Sequence, residues 1–193
     1  MALGAGVALA ILADGGRERV AVGVYAAALA ALFGVSALYH RFPWRSAGAR
    51  LVARRLDHAT IFLFIAGTYT PFALLAFDGG LRTLVLASVW GGAGLGLLVE
   101  LVWIQAPRWV SAVAYLAVGW VGVLAAPQLF PALGVAPAVL VLGGGALYSL
   151  GALAYAAAWP NPFPATLGFH EIFHALVVAA AAAQFVAVSL VVL

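Results

Sequence analysis

The chain has 193 residues, of which 66% are hydrophobic and 8% charged, and that composition excludes a soluble domain, whose surface would have almost nothing to offer water. Its nine cations are all arginine against six acids, and the resulting net charge of +3 is too small for nucleic-acid binding. With no cysteine, disulfides, thiolate metal sites and thiol nucleophiles are excluded as well.

Residues 1–13 are apolar. At ~1.5 Å per residue they reach only ~20 Å, short of a hydrocarbon core of ~30 Å. They also lack the positive n-region of a secretory signal, so they read as a truncated first transmembrane helix. Six longer apolar runs follow at 20–40, 56–77, 81–104, 109–130, 136–159 and 168–193, each long enough to span. The runs are continuous rather than alternating, which rules out strands, whose open edges lipid could not satisfy. Asp78-Gly79-Gly80, Ala106-Pro107-Arg108, Pro131 with Gly134, and Pro160-Asn161-Pro162-Phe163-Pro164 separate them. The expectation is an all-α bundle of seven transmembrane helices forming a single integral membrane domain over 1–193. Gly91, Gly92, Gly94 and Gly96, and Gly143, Gly144 and Gly145, lie inside spans, where small residues let helices approach closely.

Orientation follows from the arginines. Arg41, Arg45, Arg50, Arg54 and Arg55 sit between the second and third spans, a density that places this loop in the cytoplasm. Alternation then puts Arg108 inside and Arg17, Arg19 and Arg82 outside, with the amino terminus in and the carboxyl terminus out. Trp44 and the spaced arginines fit a segment lying along anionic inner headgroups.

Polar residues within spans are costly and are the first functional candidates. His40 ends the second span, Asp57 and His58 open the third, and His170, Glu171 and His174 open the seventh, all on one side of the membrane. His170 and His174 have the i,i+4 spacing that stacks two imidazoles within reach of one ion, and His40 is the natural third ligand. Three neutral nitrogens leave one tetrahedral position open, as in a catalytic zinc. A helix start disfavours the imidazolium and keeps both histidines ready to coordinate. His170-Glu171-Ile172-Phe173-His174 also spells H-E-x-x-H, the metalloprotease pattern, but no third ligand follows it downstream. His58 reads as an interfacial or supporting residue, Glu100 as a snorkelling one, and Asp57 as either a helix cap or a water-orienting acid. Proline at 71, after Tyr69 and Thr70, would bend its helix and open a cavity suited to an acyl chain.

Three blocks carry a resemblance. Ser36-Ala37-Leu38-Tyr39-His40, then Leu56-Asp57-His58 continuing to Ile65-Ala66-Gly67-Thr68-Tyr69-Thr70-Pro71, then His170-Glu171-Ile172-Phe173-His174-Ala175-Leu176-Val177-Val178, resemble the signature blocks of the hemolysin III family. That family is grouped with the progestin and adipoQ receptors and, more loosely, with alkaline ceramidases. The resemblance implies seven helices with a cytoplasmic amino terminus, and Zn2+ held by His40, His170 and His174. It further implies Asp57 hydrogen-bonding the water at the metal, with Ser36 one turn before His40 beside the site. Family members usually carry a polar stretch and a full-length first helix, which this chain lacks. Many place a histidine where Gln184 stands, so no role is carried over to that position.

The expected function is a zinc-dependent hydrolase acting on a lipid amide or ester near the inner leaflet, with catalytic Asp57 and Ser36. The alternative is a non-enzymatic sensor of membrane state with a structural zinc; a channel or hemolysin-type pore fits less well. The expected partner is membrane lipid and not nucleic acid, a homo-oligomer is left open, and the expected location is the bacterial inner membrane.

Overall fold

The computed structural model describes residues 2–103 and 106–193 and is all-α apart from an isolated bridge between Phe163 and Leu167. Six helical segments are long and apolar enough to cross a membrane: Gly16–Arg41, Ala47–Ala76, Gly79–Val102, Arg108–Leu133, Val135–Ala157 and Phe169–Val192. Each covers one of the six apolar runs of the sequence. Met1 and Ile104, where the first run was expected to start and the fourth to end, lie outside the described residues. The chain divides into two compact units, Met1–Gln105 with Val192–Leu193, and Ala106–Val191.

The first unit contains α1 (Ala2–Leu12), α2 (Gly16–Arg41), α3 (Ala47–Ala76) and α4 (Gly79–Val102). At 11 residues, α1 is too short to be counted among the spanning segments. Close packing rests on small residues. A Cβ on Gly67 of α3 would stand 2.5 Å from the Ala28 Cβ of α2, and one on Gly6 of α1 would stand 2.7 Å from that of Ala26. On α4, Gly96 lies against the Phe62 ring, whereas Gly91 and Gly94 face open space. One glycine of that cluster is therefore a packing residue, and two of the others are not. Gly79 takes φ +55°, a left-handed conformation that turns the chain from α3 into α4 at little cost.

Two expectations need correction in this unit. The arginine-rich stretch is mostly helix: Arg41 ends α2, Arg50, Arg54 and Arg55 lie within α3, and Arg45 alone stands in the linker. Helix α3 starts nine residues before its apolar run because Ser46 accepts a hydrogen bond from the Ala49 amide (3.4 Å) as N-cap, and arginine is a good helix former. Asp57 consequently lies about 15 Å along α3, too far from the first turn to cap it.

The second unit contains α5 (Arg108–Gly119), a 3₁₀ segment (Trp120–Ala125), α6 (Ala126–Leu133), α7 (Val135–Ala157) and α8 (Phe169–Val192). The fifth apolar run is thus broken rather than one regular helix. Pro127, near the start of α6, has no amide to donate back into the preceding turn, and the chain tightens there. Pro131, expected to break the helix, sits inside α6; the break comes at Gly134, with φ +78°. Trp120 Nε1 donates to Ser149 Oγ (3.1 Å) and ties the 3₁₀ segment to α7. Gln184 Nε2 donates to the Val141 carbonyl (3.1 Å), tying α8 to α7 beside Gly144, where any Cβ would collide with the amide.

Candidate metal site

The start of α8 is fixed by its own connecting loop. Asn161 donates through Nδ2 to the Ala158 carbonyl (2.8 Å) and accepts from the Phe169 amide (2.9 Å). Glu171 Oε2 accepts from the Gly168 amide (2.9 Å), the reach-back arm of a capping box. Glu171 is thereby engaged as a helix-start cap, which accounts for its place in H-E-x-x-H without a general-base role.

On the helix so positioned, the His170 and His174 rings meet edge to face, with centroids 4.5 Å apart and planes at 89°. Their Nε2 atoms converge to 3.0 Å. Both histidines are half-buried, and Tyr155 and Phe173 pack around His170 at 6.4 and 6.3 Å between ring centroids.

In the first unit His40 sits one residue from the end of α2, and Ser36 lies half-buried one turn earlier. His40 Nε2 stands 3.8 Å from Asp57 Oδ2 on α3, and Asp57 is buried at 8% exposure. That separation is longer than a direct hydrogen bond. Next to Asp57, His58 Nδ1 stands 3.5 Å from Glu100 Oε2 of α4. Glu100 is 7% exposed, so it does not snorkel: it is buried and paired with His58.

Joined by His40, as the three sequence blocks imply, the His170–His174 pair would make a group that could hold a metal ion. Two ligands at ~2.1 Å in a tetrahedron are ~3.4 Å apart, and three uncharged imidazoles suit a borderline divalent cation such as zinc. The donor set therefore fits the metal that the three sequence blocks imply. A sequence-family model described as haemolysin-III related matches residues 1–185. The chain belongs to the haemolysin III-related family.

Relatives agree with that membership. The hemolysin-3 homolog of Bacillus subtilis and the hemolysin-3 of Bacillus cereus are each 35% identical over 131 residues, 67% of this chain. The match covers 58% and 57% of those two proteins, so the chain aligns with only part of their length. The human monocyte to macrophage differentiation factor is 27% identical over 180 residues, 92% of this chain and 72% of that protein. These likenesses place the haemolysin III-related family within the progestin and adipoQ receptor superfamily. With six apolar helices, the chain is an integral membrane protein.

The sequence missed the His58–Glu100 pair. A signal was present: Val85, Val89, Ala93, Gly96 and Glu100 recur at helical spacing, and all five are buried. Glu100 continues a packing stripe.

Proposed function

We propose that this haemolysin III-related protein is a zinc-dependent hydrolase of a lipid amide or ester, acting where α2 ends and α8 begins. The observation that carries the reading is the convergence of the His170 and His174 nitrogens to 3.0 Å; His40, 3.8 Å from the buried carboxylate of Asp57, is the third ligand that the family's sequence blocks imply. A zinc ion held by His40, His170 and His174 would supply Lewis acidity toward a scissile carbonyl. Asp57 holds a water between its carboxylate and the histidines, takes the proton as the water attacks, and returns it to the leaving amine or alcohol. Burial keeps that carboxylate from being solvated away from its task. Ser36, one turn from His40, is placed to hydrogen-bond the polar end of the substrate.

The arginines favour seven helices with the amino terminus and this site in the cytoplasm, α1 being the first of the seven. Arg41, Arg45, Arg50, Arg54, Arg55 and Arg108 make six on the site's side against three, Arg17, Arg19 and Arg82, on the other. In a bacterium the membrane is then the inner one. The test is Asp57→Asn in purified, zinc-loaded protein supplied with long-chain ceramides and lysolipid esters. Zinc content stays as in the wild type, and fatty-acid release falls by a factor of about 10²–10⁴. Equal turnover in the variant removes Asp57 from the mechanism. No zinc-dependent release from any substrate by the wild type overturns the hydrolase and leaves a sensor with a structural metal.

A further inference from the structure

A cavity of about 230 Å³ lies at the end of α2, bordered by Tyr39, His40, Phe42, Trp44 and Arg50. Its walls are fixed by local bonds. Trp44 Nε1 donates to the Tyr39 carbonyl (3.0 Å), and the Trp44 amide donates to the Phe42 carbonyl (3.0 Å). The Phe42 and Trp44 rings meet at a tilt with centroids 4.8 Å apart, and those of Tyr39 and His40 meet edge to face at 4.6 Å. With the Trp44 indole bonded back to α2 and its amide bonded within the linker, the α2–α3 connection is a formed wall.

Aromatic walls alone would suit a quaternary ammonium as well as any other headgroup. Charge decides between them. Arg50 enters the cavity rim from α3, and from Arg19 to Leu56 the sequence holds five further arginines, counting Arg19, and no acid. A cation at the rim would meet the like charge of Arg50, while an anion gains that guanidinium's planar, five-donor fork; Asp57, although 3.8 Å from His40, is not one of the residues bordering the cavity. The volume is that of roughly seven or eight waters, enough for a phosphate with a small substituent but not for acyl chains. Because His40 forms one wall, an anion at Arg50 is held beside the metal-ligand group.

We propose that this cavity is a headgroup subsite for a phosphate-bearing lipid, with Arg50 binding the phosphate and Trp44 packing on the group it carries. The proposal rests on the lipid-hydrolase reading for its link to chemistry, but its binding test does not.

The experiment is calorimetric titration of the full chain in an uncharged detergent. The probes are dioctanoyl phosphatidic acid, dioctanoyl phosphatidylcholine and inorganic phosphate, each at low and at 0.5 M salt. Phosphatidic acid is expected to bind at least tenfold more tightly than phosphatidylcholine, and Arg50→Gln to weaken it by about tenfold. Arg54→Gln, one turn on and outside the cavity, is expected to change it less than twofold. Inorganic phosphate binding as tightly as the lipid, with the same Arg50 dependence, overturns the lipid as ligand and leaves a free phosphate in its place. Equal losses in the two arginine variants mean general attraction to a basic surface and overturn the subsite, as does unchanged binding in Arg50→Gln. Absence of zinc-dependent hydrolysis alongside Arg50-dependent binding refutes the enzyme and not the subsite.

Discussion

Replacing His174 by alanine is the sharpest perturbation of the metal site. The His170 and His174 Nε2 atoms already stand 3.0 Å apart, near the ~3.4 Å that two tetrahedral ligands require. The α8 pair is therefore pre-organised. The third ligand that the sequence blocks imply, His40, belongs to the other unit. Four-ligand structural zinc sites bind with ~10–16 kcal/mol, or roughly 2.5–4 kcal/mol per ligand. Losing one of the paired ligands should weaken zinc by about two to three orders of magnitude. After dialysis against a zinc buffer set near the wild-type midpoint, mass spectrometry should find about half a zinc per chain in the wild type. In His174→Ala it should find a few per cent at most. His40→Ala should lose less than His174→Ala, because the converged pair survives. His58→Ala should match the wild type, since His58 faces Glu100. Wild-type zinc in His174→Ala would refute the site, and equal losses in all three variants would refute the assignment of ligands.

The His58–Glu100 pair yields a second test. Removing one partner, as in His58→Leu or Glu100→Leu, leaves a polar group buried without its 3.5 Å neighbour and should cost about 3 kcal/mol, while the double replacement recovers most of it. Thermal unfolding in detergent measures all three; additive losses would show that the two residues are not coupled. A third test concerns Glu171, whose carboxylate closes the first turn of α8 on the Gly168 amide. Glu171→Ala should speed hydrogen exchange at Gly168 and Phe169 while zinc content and lipid turnover stay close to wild type. Turnover reduced as far as in Asp57→Asn would restore the glutamate to a general-base role.

Much of the helix inventory was legible because each span is a long uninterrupted apolar run, and lipid admits no other secondary structure for one. The boundaries that hydropathy missed are those set by something else. Helix α3 extends outward through Arg50, Arg54 and Arg55, where capping by Ser46 and arginine's propensity decide the structure and the bilayer does not. The 3₁₀ break before α6 depends on an amide that Pro127 lacks, which a hydropathy average cannot register. The His170–His174 pair was readable from i,i+4 spacing, because helical periodicity alone fixes that geometry. His40 was reached differently: the hydropathy topology set it at the end of its span on the same membrane side as the pair, and the resemblance of the three blocks named it as the third ligand.

The site residues share a feature that explains how a bundle with few polar groups can aim them. On α3 the buried positions Ala53, Asp57, Thr60, Phe64, Gly67 and Pro71 follow one another by three or four residues, and on α4 Glu100 follows Val85, Val89, Ala93 and Gly96 in the same way. On α8, His174 lies seven residues before buried Ala181, with buried Gln184 and Val188 in the same phase. Glu100 thus ends the stripe of α4, and Asp57 lies within that of α3, one turn after Ala53. The small residues that bring backbones together also set the rotation of the helix, and with it the direction of the carboxylate or imidazole one or more turns away. Asp57 and Glu100 are buried for the reason Gly67 and Gly96 are: they lie on the faces that pack. A lone acid in an apolar run is better read by extending its helical stripe in both directions than by its depth, since depth suggested snorkelling for Glu100 and the stripe leads to His58.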